Sequence, residues 1–178
     1  MDEHDDTYGQ TSTRRELLLM HRAGRAFAVY GEEADAVAEG RRPAPLPHAP
    51  AAVLGVVPLR GRMRTVIDPA ALGDARAEEE DDAAPRTPET PAFIVALRGD
   101  EQLALACERV ERVAAPPEAE AAGDAAPQDD AAPPDSPHVR AAFLLGPLHV
   151  TLLSPAHIFE AAMHGADRRR HRLKNRES

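Results

Sequence analysis

The stretch from Val53 to Gly73, VLGVVPLRGRMRTVIDPAALG, constrains the fold of this chain more than any other part of the sequence. Two short apolar runs flank Leu59-Arg60-Gly61, and a glycine at the tip allows the positive φ that a tight hairpin turn requires. The second run ends at Asp68-Pro69, which combines a capping side chain with a proline at the first helical position. The pattern therefore predicts a hairpin of two strands, followed by one or two helical turns that end at Gly73.

Other short apolar segments have the length of strands and are separated by glycine turns, which predicts a mainly β fold of small barrels. Near the C-terminus the same order recurs: Gly146-Pro147 turns a hairpin, and Ser154-Pro155 opens a helix through His164. The apolar face expected for that helix consists of Ile158, Phe159, Ala162 and Met163. The remaining strand segments are Leu17–Met20, Arg25–Tyr30, Val37 toward Arg42, Phe93–Leu97, Gln102–Val113, Val139–Leu145 and Leu148–Leu153.

Two inserts interrupt this pattern. Residues 74–91 and 115–137 are rich in alanine, proline and acidic residues, and they lack apolar periodicity. Such segments bury too little surface to offset a backbone ordering cost of ~1–2 kcal/mol per residue. We therefore expect both inserts, the polar N-terminus (1–13) and the basic tail (167–178) to be disordered. The composition of the inserts fits plain spacers as well as partner-binding segments.

The inserts divide one expected domain, residues 14–164, into two halves of similar pattern, approximately 14–73 and 92–164. A half of about 60 residues is marginal alone, because so short a chain buries too little of its surface. We therefore expect the two halves to pack together around a shared core.

The distribution of charge argues against nucleic acid as a partner. The formal net charge is −9, but most acidic residues lie in the N-terminus and the inserts. The segments expected to fold are close to neutral, so they provide neither a basic nucleic-acid surface nor an acidic mimic. Aromatic residues are also too few for stacking on single strands.

The sequence contains no catalytic or metal-binding motif. A single cysteine, Cys107, excludes an intramolecular disulfide and a cysteine-rich zinc site. His157 and His164 are two helical turns apart, which is too far for one metal ion. Nucleophile elbows, phosphate loops and kinase signatures are absent. We therefore expect no catalytic residue, no metal and no cofactor.

No apolar segment of the signal-peptide or transmembrane type occurs in the sequence. We therefore expect a cytoplasmic protein that does not insert directly into the membrane. The tail carries six basic residues between Arg168 and Arg176. We expect it either to remain solvated or to contact anionic lipid headgroups or the acidic inserts.

The Val53–Gly73 stretch and the residues before it resemble the CheW family of adaptor proteins in bacterial chemosensory arrays. The family signature runs roughly LP-x-aP-x-x-v-x-G-v-x-x-LRG-x-x-x-p-v-i-D-l. The residues that match it here are Leu46-Pro47, Ala49-Pro50, Val53, Gly55-Val56, Leu59-Arg60-Gly61 and Val66-Ile67-Asp68. The second half matches more loosely, through FIVALRGDEQLALACERVERVAAPP and VTLLSPAHIFEAA.

This resemblance implies two small five-stranded SH3-like β-barrels packed together, with short helices and a C-terminal helix. It also implies a non-catalytic adaptor that couples chemoreceptors to a CheA-like histidine kinase. The implied partners are the regulatory domain of that kinase and the cytoplasmic tip of a chemoreceptor. The implied location is the cytoplasm, at membrane-associated chemosensory arrays.

The resemblance also indicates a partner-binding region in the first half. The family places a glutamate on the strand after a small helix, near the arginine of its LRG motif, and these positions look like Glu39 and Arg60. The planar fork of an arginine binds a carboxylate bidentately, so this pair would hold the hairpin tip against the neighbouring strand. Two separate solvated charges are the alternative. Val37, Leu59 and Gly61 complete the expected region.

The sequence departs from the family pattern in several places. Gly40 replaces an apolar residue and should weaken its strand, Thr65 stands where proline is common, and the inserts and the tail are additions. These departures leave open a divergent scaffold that binds a single partner in a motility or developmental pathway, without receptor coupling. A small-molecule-binding or hydrolytic barrel is a third alternative, which no convergent polar constellation supports.

Overall fold

A computed structural model of the chain describes residues 15–72, 90–99, 102–124 and 136–163. Strands dominate the described residues, with two 3₁₀ turns, η1 and η2, and two α-helices. The first five strands and the 3₁₀ turns are β1 (Glu16–Arg22), β2 (Arg25–Tyr30), η1 (Gly31–Glu33), β3 (Ala34–Glu39), β4 (Val53–Leu59), β5 (Arg62–Ile67) and η2 (Pro69–Ala71). The later elements are β6 (Phe93–Leu97), β7 (Leu103–Cys107), β8 (Arg109–Ala114), α1 (Pro117–Asp124), β9 (Val139–Leu145), β10 (Leu148–Leu153) and α2, which is described over residues 155–163.

The strands form two five-stranded sheets with the same plan. The first sheet has the order β8-β1-β2-β10-β9, and the second has the order β3-β6-β7-β5-β4. In each sheet, the second strand of one hairpin pairs in parallel with a strand of another hairpin and then leads into a helical segment. β10 pairs with β2 and precedes α2, and β5 pairs with β7 and precedes η2. The recurrence of hairpin, cap and helix in the sequence therefore marks a genuine structural repeat.

The predicted mainly β fold with two five-stranded, SH3-like subdomains is confirmed. The predicted assignment of chain segments to the two subdomains differs from the structure. The first sheet combines β1 and β2 with β8, β9 and β10, while β3 to β7 form the second sheet. The expected halves, 14–73 and 92–164, are therefore not the structural units. Each half lacks strands that its sheets require, and among the described residues neither sheet closes into a complete hydrogen-bonded barrel.

The central strands β1, β2, β6 and β7 are buried on both faces of their sheets, which accounts for their nearly continuous apolar runs. The largest cluster lies between the sheets and is the shared core that the sequence predicts; it includes Leu18, Met20, Phe27, Val29, Ile67, Val95, Leu105, Leu153 and Ile158. A second cluster, built around Leu17, Tyr30 and Leu152, lies on the other face of the first sheet. A smaller third cluster, built around Val57, Val66 and Ile94, lies on the other face of the second sheet.

A carboxylate at the start of η2 joins the two sheets. Asp68 Oδ1 accepts a hydrogen bond from the Ala70 amide at 3.0 Å, which confirms the predicted helical cap. Its Oδ2 accepts from Arg22 Nε at 3.1 Å and Nη2 at 2.9 Å, at the tip of the β1–β2 hairpin. Arg25 Nη1 donates to the Ala70 carbonyl at 3.1 Å from the same tip. One aspartate therefore both caps η2 and fixes it against the opposite sheet.

The prediction that residues 115–137 are disordered is wrong for their first part, which contains α1. Ala115 and Ala119 are buried against the first sheet, and Ala122 packs beside them. The composition argument overlooked the spacing of Ala119 and Ala122, which places two small apolar side chains on one face of α1. The other segments expected to be disordered, together with Gly73, lie largely or entirely outside the described residues.

Candidate functional site

The partner-binding region predicted from the sequence lies at one end of the second sheet. Leu59 pairs with Arg62, so Arg60 and Gly61 form a two-residue turn, in which both have positive φ (49° and 73°). Such a turn matches the twist of the flanking strands. Arg60 and Gly61 are exposed, whereas Leu59 packs partly against the third cluster. Val37 is 41% exposed on the edge strand β3.

The structure does not bring Glu39 and Arg60 together. Glu39 pairs with Phe93 at the C-terminal end of β3, while Arg60 lies near the opposite end of that strand. There, Arg60 Nη1 donates to the carbonyl oxygen of Asp35 at 3.1 Å. No ion pair joins Glu39 to Arg60 within the described residues. The hairpin tip is thus held to β3 through a backbone carbonyl.

A buried arginine, which sequence reasoning missed, supports the tip from inside. Arg64 of β5 is 5% exposed; its Nη2 lies 2.6 Å from Asp35 Oδ2, and its Nη1 donates to the Leu97 carbonyl at 2.8 Å. It therefore links β5 to β3 and β6 across the interior of the second sheet. Nothing in the sequence distinguishes Asp35 from the neighbouring Glu32, Glu33 and Glu39 as its partner.

A groove of about 470 Å³ adjoins this region, on the side where the two sheets meet. Its walls come from η1, the β6–β7 turn, β9 and the start of α2. The lining residues are Glu32, Glu33, Leu97, Arg98, Gly99, Gln102, Leu103, Arg140, Pro155 and Ala156. The two regions meet at the start of β3, where Arg60 of the tip binds the Asp35 carbonyl and Arg98 of the groove binds the Ala34 carbonyl. The groove thus runs from the base of the hairpin-tip region to α2.

Most charges in the groove are paired within the protein. Arg140 Nη2 lies 2.9 Å from Glu33 Oε1, and Arg15 Nε lies 3.1 Å from Glu32 Oε1. Both guanidinium groups also stack on the ring of Tyr30, at 4.6 Å for Arg15 and 5.2 Å for Arg140. The Tyr30 hydroxyl donates to the Ala119 carbonyl of α1, and burial raises the pKa of that hydroxyl despite the two arginines. This network anchors the β9 and η1 walls to α1.

The outer face of α2 continues the wall of the groove and differs from the sequence prediction. Ile158 and Ala162 point into the shared core as expected, but Phe159 and Met163 are 43% and 42% exposed. Ala156, Phe159 and Met163 follow one another at spacings of three and four, which places them along one side of the helix. A single apolar face was predicted, whereas the helix has a buried face and an exposed apolar stripe.

Two titratable side chains outside the groove are buried in the protein interior, and burial shifts the pKa of each. Burial raises the pKa of the Cys107 thiol to about 12, so this cysteine is a core residue and not a nucleophile. Burial and the positive charge of Arg25 lower the pKa of His138. Within the described ranges, no group of three or more His, Cys, Asp or Glu side chains is placed to hold a metal ion. In the same ranges, no helix is long and apolar enough to cross a membrane.

Comparisons with known proteins agree with this architecture. The sequence profile of the CheW-like domain matches residues 16–163. The crystal structure of the scaffolding protein TtCheW from Thermoanaerobacter tengcongensis is similar, with a TM-score of 0.58 and 14% sequence identity over 83% of this chain and 93% of that chain. At this identity the likeness concerns the fold alone. A search of curated proteins finds no significant match.

Proposed function

This chain belongs to the CheW-like domain family, and from that premise we propose that it is a non-catalytic adaptor coupling chemoreceptors to a CheA-like histidine kinase in a bacterial chemosensory pathway. The observation that carries this proposal is the pair of adjoining surfaces, the hairpin tip and the groove with its apolar stripe. An adaptor needs two such surfaces on one rigid body. In this role the protein works in the cytoplasm, at membrane-associated arrays.

We assign the groove and the exposed side of α2 to the receptor. Receptor cytoplasmic tips are helical, and an amphipathic helix docks its apolar face into a groove through side chains spaced by three or four residues. Leu97 and Leu103 form the buried floor of the groove, and the exposed Phe159 and Met163 lie on the same side of α2 as its lining residue Ala156. Exposed aromatic and methionine side chains are enriched in protein interfaces.

The hairpin tip is assigned to the regulatory domain of the kinase. Arg60 is exposed in a tight turn, and its guanidinium donates a hydrogen bond to the Asp35 carbonyl. Arginine donors on rigid turns commonly act as binding hot spots. The exposed Met63, which pairs with Pro58 beside the turn, supplies an apolar contact.

Substitutions on the two surfaces should separate the two binding activities. Arg60→Glu, and the turn-compatible Arg60→Gly, should weaken binding to the kinase regulatory domain and leave the receptor fragment unaffected. Phe159→Ser combined with Met163→Ser should do the reverse. Leu144→Ser is the matched apolar control, because Leu144 is exposed near the turn of the β9–β10 hairpin, at the end opposite to the one that leads into α2. Binding of both partners by every variant, with wild-type affinity, would refute the assignment.

The adjoining position of the two surfaces also favours a second candidate, a scaffold with a single partner. One protein could span the tip and the groove, since Arg60 of the tip binds the Asp35 carbonyl and Arg98 of the groove binds the neighbouring Ala34 carbonyl. Competition distinguishes the two candidates. An adaptor saturated with the kinase domain still binds the receptor fragment, whereas a single-partner scaffold binds only one of them.

A further inference from the structure

Two arginines of the β4–β5 hairpin reach across the second sheet to one residue of β3. β3 lies at one end of the strand order and the hairpin lies at the other, so β3 is not a neighbour of either hairpin strand in the sheet. Arg60 Nη1 nevertheless donates to the Asp35 carbonyl at 3.1 Å, and Arg64 Nη2 lies 2.6 Å from Asp35 Oδ2. Arginine side chains therefore join the two ends of the sheet, and both contacts converge on Asp35.

Asp35 is the residue of β3 that strand pairing leaves without a partner. Ala34 pairs with Leu97 and Ala36 pairs with the adjacent Ala96, so Asp35 is the extra residue of a β-bulge. The extra residue of a bulge is unpaired, and bulges commonly redirect a side chain. The backbone of Asp35 is therefore fixed less by its strand neighbours than by what its side chain binds.

The arginine that binds the Asp35 carboxylate is itself held in the interior. Arg64 is 5% exposed, and its Nη1 donates to the Leu97 carbonyl at 2.8 Å, on the strand that pairs with β3. A guanidinium that binds a carboxylate and a carbonyl together has little freedom, because its donors form a rigid planar fork. Arg60 is exposed, so the position of its guanidinium depends on the Asp35 carbonyl that it binds.

We propose that Asp35 and Arg64 are positioning residues for the hairpin tip. The buried pair fixes the bulge, and the Asp35 carbonyl in turn holds the Arg60 guanidinium in place for the partner. This inference rests on the proposed function, in which the tip binds the kinase regulatory domain. Ordering a long side chain before association improves affinity, because less conformational entropy is lost on binding.

The test is a calorimetric titration of the full chain with the regulatory domain of a CheA-like kinase from the same genome. The variant replaces the buried pair by apolar residues, Asp35→Leu with Arg64→Met. Removing both partners avoids an uncompensated buried charge, so we expect the variant to fold. Its matched control is Arg22→Met with Asp68→Asn, which removes the ion pair at the opposite end of β5 and keeps a side chain that caps η2.

The apolar pair should bind the kinase domain about five-fold more weakly than wild type, as expected when one arginine must be ordered on binding. The control should stay within about two-fold of wild type. The same apolar pair is then placed in the Arg60→Gly background. There it should change the affinity by less than about two-fold, because the side chain that the pair positions is absent. A merely structural role would not make the loss depend on Arg60.

Asp35→Asn provides a second variant for the case that the apolar pair does not fold. It keeps an acceptor for Arg64 but removes the charge, so the loss of affinity should be smaller, about three-fold, and should again disappear in the Arg60→Gly background. Denaturant unfolding of each variant gives the folded fraction in the titration.

Three results would contradict this account. A loss of equal size in both backgrounds, or no loss in the presence of Arg60, would overturn the inference while leaving the proposed function intact. Wild type that does not bind the kinase domain would overturn the proposed function and the inference with it.

Discussion

At the scale of single residues, Asp35 and not Glu39 is the acidic residue that lies beside the hairpin tip. Its carboxylate pairs with the buried Arg64, and its carbonyl holds Arg60 at the hairpin tip. The family resemblance indicates a carboxylate near the LRG arginine, but sequence spacing does not determine which of several acidic residues reaches a buried guanidinium. That choice depends on the register between β3 and β6, which shifts between Ala34 and Ala36 around Asp35.

Replacing Asp35 should therefore cost far more than replacing Glu39. Asp35→Ala leaves the guanidinium of Arg64 buried without its carboxylate, so the free energy of unfolding should fall by about 2–4 kcal/mol. Glu39→Ala removes an exposed side chain and should change it by less than about 0.5 kcal/mol. Denaturant unfolding of both variants measures the difference. Similar losses for the two variants would show that the Asp35–Arg64 pair does not stabilise the fold.

His138 should make the protein less stable in mild acid. It is buried, its Nδ1 has no hydrogen-bond partner among the described residues, and burial with the charge of Arg25 lowers its pKa. An unfolded histidine protonates near pH 6.5. As the pH falls below that value, the unfolded chain binds a proton that the folded protein does not. The free energy of unfolding therefore decreases until the pH reaches the lowered pKa.

Denaturant unfolding between about pH 7.5 and pH 5 measures this loss, with His138→Gln as the comparison. The variant should lose less stability on acidification than wild type, even if it is less stable at neutral pH. Identical pH dependence of the two proteins would mean that His138 does not contribute.

At the scale of secondary-structure elements, the sequence predicts most strands correctly, because glycine turns and apolar runs are local signals. β1, β2, β6, β9 and β10 lie where short apolar runs predict them, and the Val53–Gly73 hairpin has its turn at Arg60-Gly61. Local sequence patterns did not predict the strand boundaries that depend on tertiary contacts. The segment Gln102–Val113, predicted to start as a strand and to continue with mixed spacing, is divided at Glu108 into β7 and β8, which belong to different sheets.

Gly40, which departs from the family pattern, lies where two backbone segments approach closely. The sequence indicates a weakened strand, and β3 indeed ends at Glu39. The amide of Gly40 donates to the Ala92 carbonyl at 2.8 Å, and a Cβ at this position would overlap the Pro91 carbonyl. The glycine therefore permits the close approach of two backbone segments, a long-range contact that no local pattern reveals.

The docking of α1 gives a prediction at this scale. Ala119 is fully buried under the first sheet, while Ala121 on the same helix is exposed. Ala119→Glu should destabilise the protein by at least about 2 kcal/mol, because it buries a carboxylate without a partner. Ala121→Glu adds the same charge and should be nearly neutral. Thermal unfolding of both variants checks the comparison, and an equally stable Ala119→Glu protein would contradict the docking of α1.

At the scale of the whole molecule, the two sheets form one body because the chain exchanges strands between them. The large core lies between the sheets, and the Asp68–Arg22 contact fixes them at the surface. The sequence predicts two similar units with a shared core, but a local pattern contains no information on strand order. The groove could not be predicted from the sequence, because its walls come from residues that are distant along the chain.

The boundaries 14–164 of a single domain remain a proposal that follows from this arrangement. A chain limited to these residues should unfold in one cooperative transition at the same temperature as the full protein, because the described cores lie within it. Two separate transitions in calorimetry would indicate that the sheets unfold independently.

The most direct test of the central claim is a calorimetric titration of the full chain with the regulatory domain of a CheA-like kinase from the same genome, followed by a chemoreceptor cytoplasmic fragment as second titrant. An adaptor binds both, and the receptor fragment still binds when the kinase domain is saturating. Binding of one partner alone would favour the single-partner scaffold. Binding of neither partner by a correctly folded protein would contradict the adaptor function.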